Sequence, residues 1–202
     1  MTTAVSVPES VRSYFTDSSV SAIVDHILQS EAAEFPVDLD WEEVRDFHVA
    51  HVAAVTVRTD YALLLLDLWE SVWAEPLRAH GITQDVPFDE YPEGTLPSPE
   101  VFWYDSLYRI CYFPGDSGAF LYLSVYFDSK GKLELSLAHE TEEGENTQLS
   151  LPAAWSFDED IESYVARDAL VKIQEDTSSI DVTTFQQLAF SAITALVEAV
   201  AE

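Results

Sequence analysis

From residue 101 the apolar residues stop recurring every three or four positions and begin to alternate. No other feature constrains the fold as strongly. Leu133, Leu135 and Leu137 alternate with Lys132, Glu134 and Ser136, which sends successive side chains to opposite faces of a strand, one buried and one wet. Val101–Phe113, Ala119–Phe127 and Lys132–His139 read as three strands of an antiparallel meander. Pro114-Gly-Asp-Ser-Gly118 and Asp128-Ser-Lys-Gly131 supply its turns. Gln148–Leu151 is expected to add a fourth short strand.

Upstream the spacing is helical. Val20, Ile23, Val24, Ile27 and Leu28 fall at i, i+3, i+4 intervals within a helical region over 8–34, with Asp17, Ser18 or Ser19 as cap. Asp40-Trp-Glu-Glu43 has the form of a capping box and opens a second stretch. Its apolar positions Val44, Phe47, Val49, Val52 and Val55 predict burial on a broad face. From Tyr61 to Leu77 the chain is apolar nearly all round, as central helices are. Thr59-Asp60 reads as a joint between two helices, Pro76 as a kink or restart, and Gly81 as a stop.

Residues 82–100 combine Pro87, Pro92, Pro97 and Pro99 with five acids and read as a surface connection. Two helices are expected to close the chain. The first starts at Ser156-Phe-Asp-Glu159, again of capping-box form, and carries Ile161, Tyr164 and Val165; the second is capped by Asp181 or Thr183 and carries Phe185, Leu188, Ile193 and Leu196. The expected fold class is α+β, with helices flanking a small antiparallel meander of three to four strands. One acidic domain spans 1–202: 1–81 mainly helical, 82–100 a Pro-rich acidic connection, 101–151 the meander and 155–202 two helices.

Charge bounds the function. The chain carries 37 acidic and 9 basic residues, a net charge of −28, yet 48% of its 202 residues are hydrophobic. That apolar content separates it from acidic disordered chains, which cannot offset chain entropy by burial. Its nine cations stand scattered along the chain rather than in a stripe, so direct binding of DNA or RNA is excluded as an expectation. The first ten residues lack a basic region and a long apolar run, and Tyr61–Leu66 is the longest uncharged apolar run. Both features predict a cytoplasmic protein with no membrane partner.

Motifs for chemistry are weak. His48 and His51 lie three apart on one helix side, but no defined third ligand follows, and a core or boundary role explains them better than metal. Cys111 sits on a predicted strand near Arg109 without a base signature and reads as a buried structural thiol. Gly115-Asp-Ser-Gly118 is similar over four residues to a serine-protease motif, but it fills a turn and has no identifiable His and Asp partners. Asp158-Glu-Asp160 with Glu162 lacks the spacing of a calcium loop. Neither catalysis, cofactor nor metal is expected.

What remains is the acid pattern. Four stretches without Lys or Arg hold 28 of the 37 acids, and such self-repulsion works against a compact chain unless a cationic partner or a saline environment compensates it. At one charge per ~1.7 Å of duplex, 28 charges match about 48 Å of B-DNA, close to the ~43 Å diameter of a globule of this size. In charge and size the chain is similar to DNA-mimic inhibitors, the acidic anti-restriction and anti-CRISPR proteins. The expected function is a non-enzymatic inhibitor of a basic, nucleic-acid-binding protein or nuclease. An immunity protein or antitoxin against a basic toxin is the alternative, with Trp103, Tyr104 or Trp155 as anchors among the acids; halophile adaptation without a specific partner is a further one. The expected contact surface is Glu140, Glu142, Glu143 and Glu145 in a loop together with Asp158, Glu159, Asp160 and Glu162 on a helix's first turn. Asp38, Asp40, Glu42, Glu43, Asp85, Asp89, Glu90 and Glu93 are secondary candidates.

Overall fold

A computed structural model describes residues 4–29, 40–84, 106–113, 119–141, 149–166 and 171–200. Among the described residues it is a mixed α+β structure. In chain order the elements are β1 (Ala4–Ser6), α1 (Glu9–Thr16), α2 (Ser18–Gln29), α3 (Trp41–Ala79), β2 (Thr83–Gln84), β3 (Ser106–Tyr112), β4 (Ala119–Phe127), β5 (Leu133–Thr141), β6 (Trp155–Asp158), β7 (Ser163–Ala166), β8 (Ser179–Asp181) and α4 (Thr183–Val200). Six strands form one antiparallel sheet in the order β2-β3-β4-β5-β7-β6, and β1 pairs with β8 in a separate ribbon.

The meander stands where the alternation puts it, with β3, β4 and β5 paired in sequence. Asp128 closes the β4–β5 turn by accepting from the Lys130 and Lys132 amides, both at 2.8 Å. Gly131 has φ +74°, a left-handed value at which a side chain is strained. Leu121, Leu123, Val125, Leu133, Leu135 and Leu137 are fully buried on one face. The opposite face is less wet than the alternation predicts. Glu134 is also buried, where it accepts from the Tyr126 hydroxyl at 2.8 Å and pairs with Lys132 at 3.6 Å. A buried carboxylate is tolerated when it is satisfied in this way.

Helix α3 runs unbroken for 39 residues, so the expected joint at Thr59-Asp60 and the expected restart at Pro76 are both overturned. Burial explains each. Val57, Tyr61, Leu64, Leu65 and Leu68 continue one apolar face straight through the proposed joint. Pro76 lies in the last turns, where buried Val72, Trp73 and Leu77 hold the helix against the sheet despite the missing amide. Trp69 Nε1 donates to the Leu123 carbonyl at 3.0 Å, Trp73 Nε1 to that of Ser124 at 3.4 Å. Helix α4 lies beside α3, tied by Gln186 Nε2 to the Ser71 carbonyl at 2.8 Å, and buries Phe185, Ala189, Ile193 and Leu196. By length and composition alone α3 is also apolar enough to cross a bilayer, with 28% of its most apolar window buried.

The end of the chain differs most from expectation. Residues 155–166 form the hairpin β6–β7, not a helix, and Leu149–Leu151 adds no strand. The capping-box pattern at Ser156–Glu159 is outweighed by pairing with the edge of β5, which buries Trp155, Val165 and Ala166. The expected closing helix at Thr183 is present as α4, with the Asp181 carboxylate accepting from the Thr183 amide at 2.9 Å.

Candidate functional site

Six-strand pairing gathers acids at one end of the sheet. Strand β5 ends at Glu140-Thr141 and runs antiparallel to β7, paired from Leu135↔Ala166 to Leu137↔Tyr164. The turn joining β6 and β7, residues 159–162, therefore lies at the end of the sheet where β5 finishes. Asp158 closes that turn by accepting from the Asp160 amide at 3.0 Å, and Glu162 adopts φ 50°. Glu159, Asp160 and Glu162 are exposed, Asp158 and Glu140 half-buried. A hairpin tip, not a helix's first turn, thus presents the second predicted cluster.

Glu142, Glu143 and Glu145 fall outside the described residues. The residues bracketing them, Thr141 and Leu149, are placed. Leu149 is held at the same hairpin: its amide donates to Tyr164 Oη at 2.8 Å, and the Tyr164 hydroxyl donates to its carbonyl at 3.1 Å. Thr141 pairs with Ala119 of β4, and Leu149 is fastened to β7.

Two apolar side chains at this tip were missed. Phe157 is 47% and Ile161 49% exposed, standing among Asp158, Glu159, Asp160 and Glu162. Phe157 packs edge-on against Tyr164 with centroids 5.1 Å apart. The alternation of Trp155 and Phe157 with Ser156 and Asp158 was the available signal for a strand there. Trp155, a candidate anchor, is buried against Trp73; Trp103 and Tyr104 lie outside the described residues.

Of the secondary candidates, Asp38, Asp85, Asp89, Glu90 and Glu93 are outside the described residues. Asp40 and Glu43 form the expected capping box of α3: Asp40 accepts from the Glu42 and Glu43 amides at 2.8 and 3.0 Å, and Glu43 accepts from the Asp40 amide at 3.0 Å. Glu42 lies 3.6 Å from Arg45, which also pairs with Asp46 at 3.1 Å. These acids serve the helix terminus and a local ion pair.

The groups weighed for chemistry have structural surroundings. Cys111 is fully buried, and burial pushes its thiol up to about 12, with neighbouring Arg109 acting in the opposite direction. Such a thiol is not a nucleophile near neutral pH. Arg109 itself is buried, donates to Glu70 Oε1 at 2.8 Å and sits over Trp69 at 4.4 Å. His48 and His51 are exposed rather than at a core boundary, and His51 stacks on Phe47. No cluster of three metal-ligating side chains occurs among the described residues. A cavity between α1, α2 and α3 lined by Tyr14, Val24, Val57, Arg58 and Tyr61 measures about 100 Å³, below the roughly 300 Å³ at which small-molecule sites begin. A larger depression of about 540 Å³ at Glu9, Arg12, Thr16, Asp17 and Glu175 is polar and open.

Comparison with protein-family models, with curated proteins and with solved structures gives no match.

Proposed function

We propose that this protein is a non-enzymatic, cytoplasmic inhibitor that presents nucleic-acid-like charge to a basic protein, a nuclease or effector of the kind targeted by anti-restriction and anti-CRISPR proteins. The observation carrying this reading is the gathering of acids at one end of the sheet. Glu140 and the β6–β7 tip with Glu159, Asp160 and Glu162 share that end. On a chain of net charge −28, such an edge offers a phosphate-binding cleft a firmly held row of carboxylates. Strand pairing brings Glu140 and the 159–162 turn to the same end, and complementary potentials speed the encounter.

The test is capture of a basic protein from host lysate, followed by measuring whether the captured protein still binds duplex DNA. Expected are one-to-one inhibition, weaker capture at high ionic strength, and displacement by duplex DNA. Charge reversal to Lys at Glu142, Glu143, Asp160 and Glu162 abolishes capture while far-UV dichroism stays native. Capture that ignores salt, DNA and this variant overturns the reading.

Phe157 and Ile161 favour a second reading, an immunity protein or antitoxin whose contact is anchored by apolar side chains amid acids. Phe157→Ser with Ile161→Ser then weakens a toxin complex at least tenfold at every salt concentration, whereas a charge mimic loses little.

A further inference from the structure

Strand β6 closes one side of the six-stranded sheet, and among the described residues no strand lies along its outer edge. The Trp155 amide donates to the Pro152 carbonyl at 2.9 Å. Backbone N–H and C=O groups alternate in direction from one residue of a strand to the next. Phe157 therefore presents both of its backbone groups on the same outer side as the Trp155 amide, while Ser156 and Asp158 turn theirs to β7. This edge is open to solvent, since Ser156 and Phe157 are both exposed. Past Asp158 it runs directly into the exposed carboxylates of Glu159, Asp160 and Glu162.

We infer that the β6 edge accepts an extended basic segment of the partner as an added strand. This rests on the charge reading above and names the contact through which the acidic end is engaged. An unpaired edge is a template for any strand, and charge narrows the choice. A neutral strand gains backbone hydrogen bonds alone, and an acidic one also meets repulsion from the 159–162 turn. A strand carrying Lys or Arg gains both the hydrogen bonds and the attraction. In strand addition the main chain supplies affinity and alternate side chains supply selectivity. A residue set opposite Phe157 shares its face of the sheet, where an apolar side chain fits. The neighbouring residues stand opposite Ser156 and Asp158 on the other face, where Lys or Arg meets the Asp158 carboxylate. The occupant is a strand in which apolar and basic residues alternate.

A synthetic peptide of alternating Lys and Val, blocked at both termini, is the probe, titrated into isotopically labelled protein and followed by NMR. Expected are a shift of the Phe157 amide resonance and slower exchange of its proton with solvent. Methylating the peptide's Val nitrogens removes the donor facing Phe157 without altering charge, and is expected to weaken binding about tenfold through lost main-chain hydrogen bonds. Methylating its Lys nitrogens, which face away, leaves binding as in the parent peptide. Phe157→Pro removes the protein's own outward donor and acts like Val methylation, whereas Phe157→Leu keeps the amide and binds as wild type does. The methylated peptides need no altered protein, so they decide the matter even if the proline variant does not fold. Equal binding of the parent and Val-methylated peptides, with no protection of the Phe157 amide, overturns strand addition and leaves the charge reading standing. Absence of binding by every peptide at low salt overturns it too. Failure of the charge reading itself shows separately, as capture of the basic protein that ignores charge reversal.

Discussion

The two halves of α3 are both apolar and lie on one unbroken helix, yet they live in different surroundings. Between Tyr61 and Leu77 the side chains of Leu68, Trp69, Val72 and Trp73 are fully buried beneath the sheet and α4. Between Trp41 and Val55 only Ala54 is buried, and Trp41, Val49, Val52 and Val55 stand in solvent. Apolar content therefore says that a helix needs cover, while the sheet's extent decides which part receives it. The C-terminal half meets β2, β3 and β4 of the sheet and α4; the N-terminal half meets α2, which supplies Val24 and partly buried Val20 and Ile27.

The contrast breaks most clearly at the tryptophans. Trp69→Ala removes a fully buried ring and its hydrogen bond to Leu123, and is expected to destabilise the fold by about 3–5 kcal/mol. Urea denaturation measures this; a loss below about 1 kcal/mol means that the sheet does not bear on the helix as described.

Histidines sharpen the same comparison through pH. His139, buried on β5 beside Phe113, has no hydrogen-bond partner for either ring nitrogen among the described residues, whereas His48 and His51 are exposed. Desolvation holds the His139 pKa below the ordinary 6.5, so the folded chain favours the neutral ring and the unfolded chain takes up the proton first. Stability contributed by the neutral ring is complete above pH 6.5 and is lost as pH falls through 6.5 toward the lowered folded value. His139→Leu is expected to flatten the stability profile in that window, measured by thermal melts from pH 7.5 to 5. An unchanged profile rejects the assignment.

The smallest effect belongs to the wet half. Val52→Ala is expected to change monomer stability by no more than about 0.5 kcal/mol, although Val52 is as apolar as Val72. A loss comparable to that of Trp69→Ala means that the exposed half is covered within the monomer, and the distinction between the halves disappears.

Much of this architecture was legible because its signals are local. The period-two run in β5, the Asp128 turn, and the Asp40–Glu43 box each depend on residues within a few positions of one another. The box at Ser156–Glu159 misled because capping is worth about 1 kcal/mol, less than the gain from burying Trp155, Val165 and Ala166 on the sheet edge formed by β5. For the candidate site, the acids were legible as composition. The shared end of Glu140 and the 159–162 turn was not, since it depends on β7 pairing with β5. Phe157 and Ile161 were missed with it, because a helix places them on different faces from a hairpin tip.

By itself the sequence determined the fold class, the meander, the buried thiol and a charge that repels phosphates, because periodicity and net charge need no knowledge of distant partners. Only the tertiary structure decided that α3 is one helix, that residues 155–166 form two strands, and which half of α3 stays wet. Those outcomes depend on which apolar surfaces meet: a joint, a cap or an apolar stripe is a preference of about 1 kcal/mol per feature, and packing against the six-stranded sheet outweighs it.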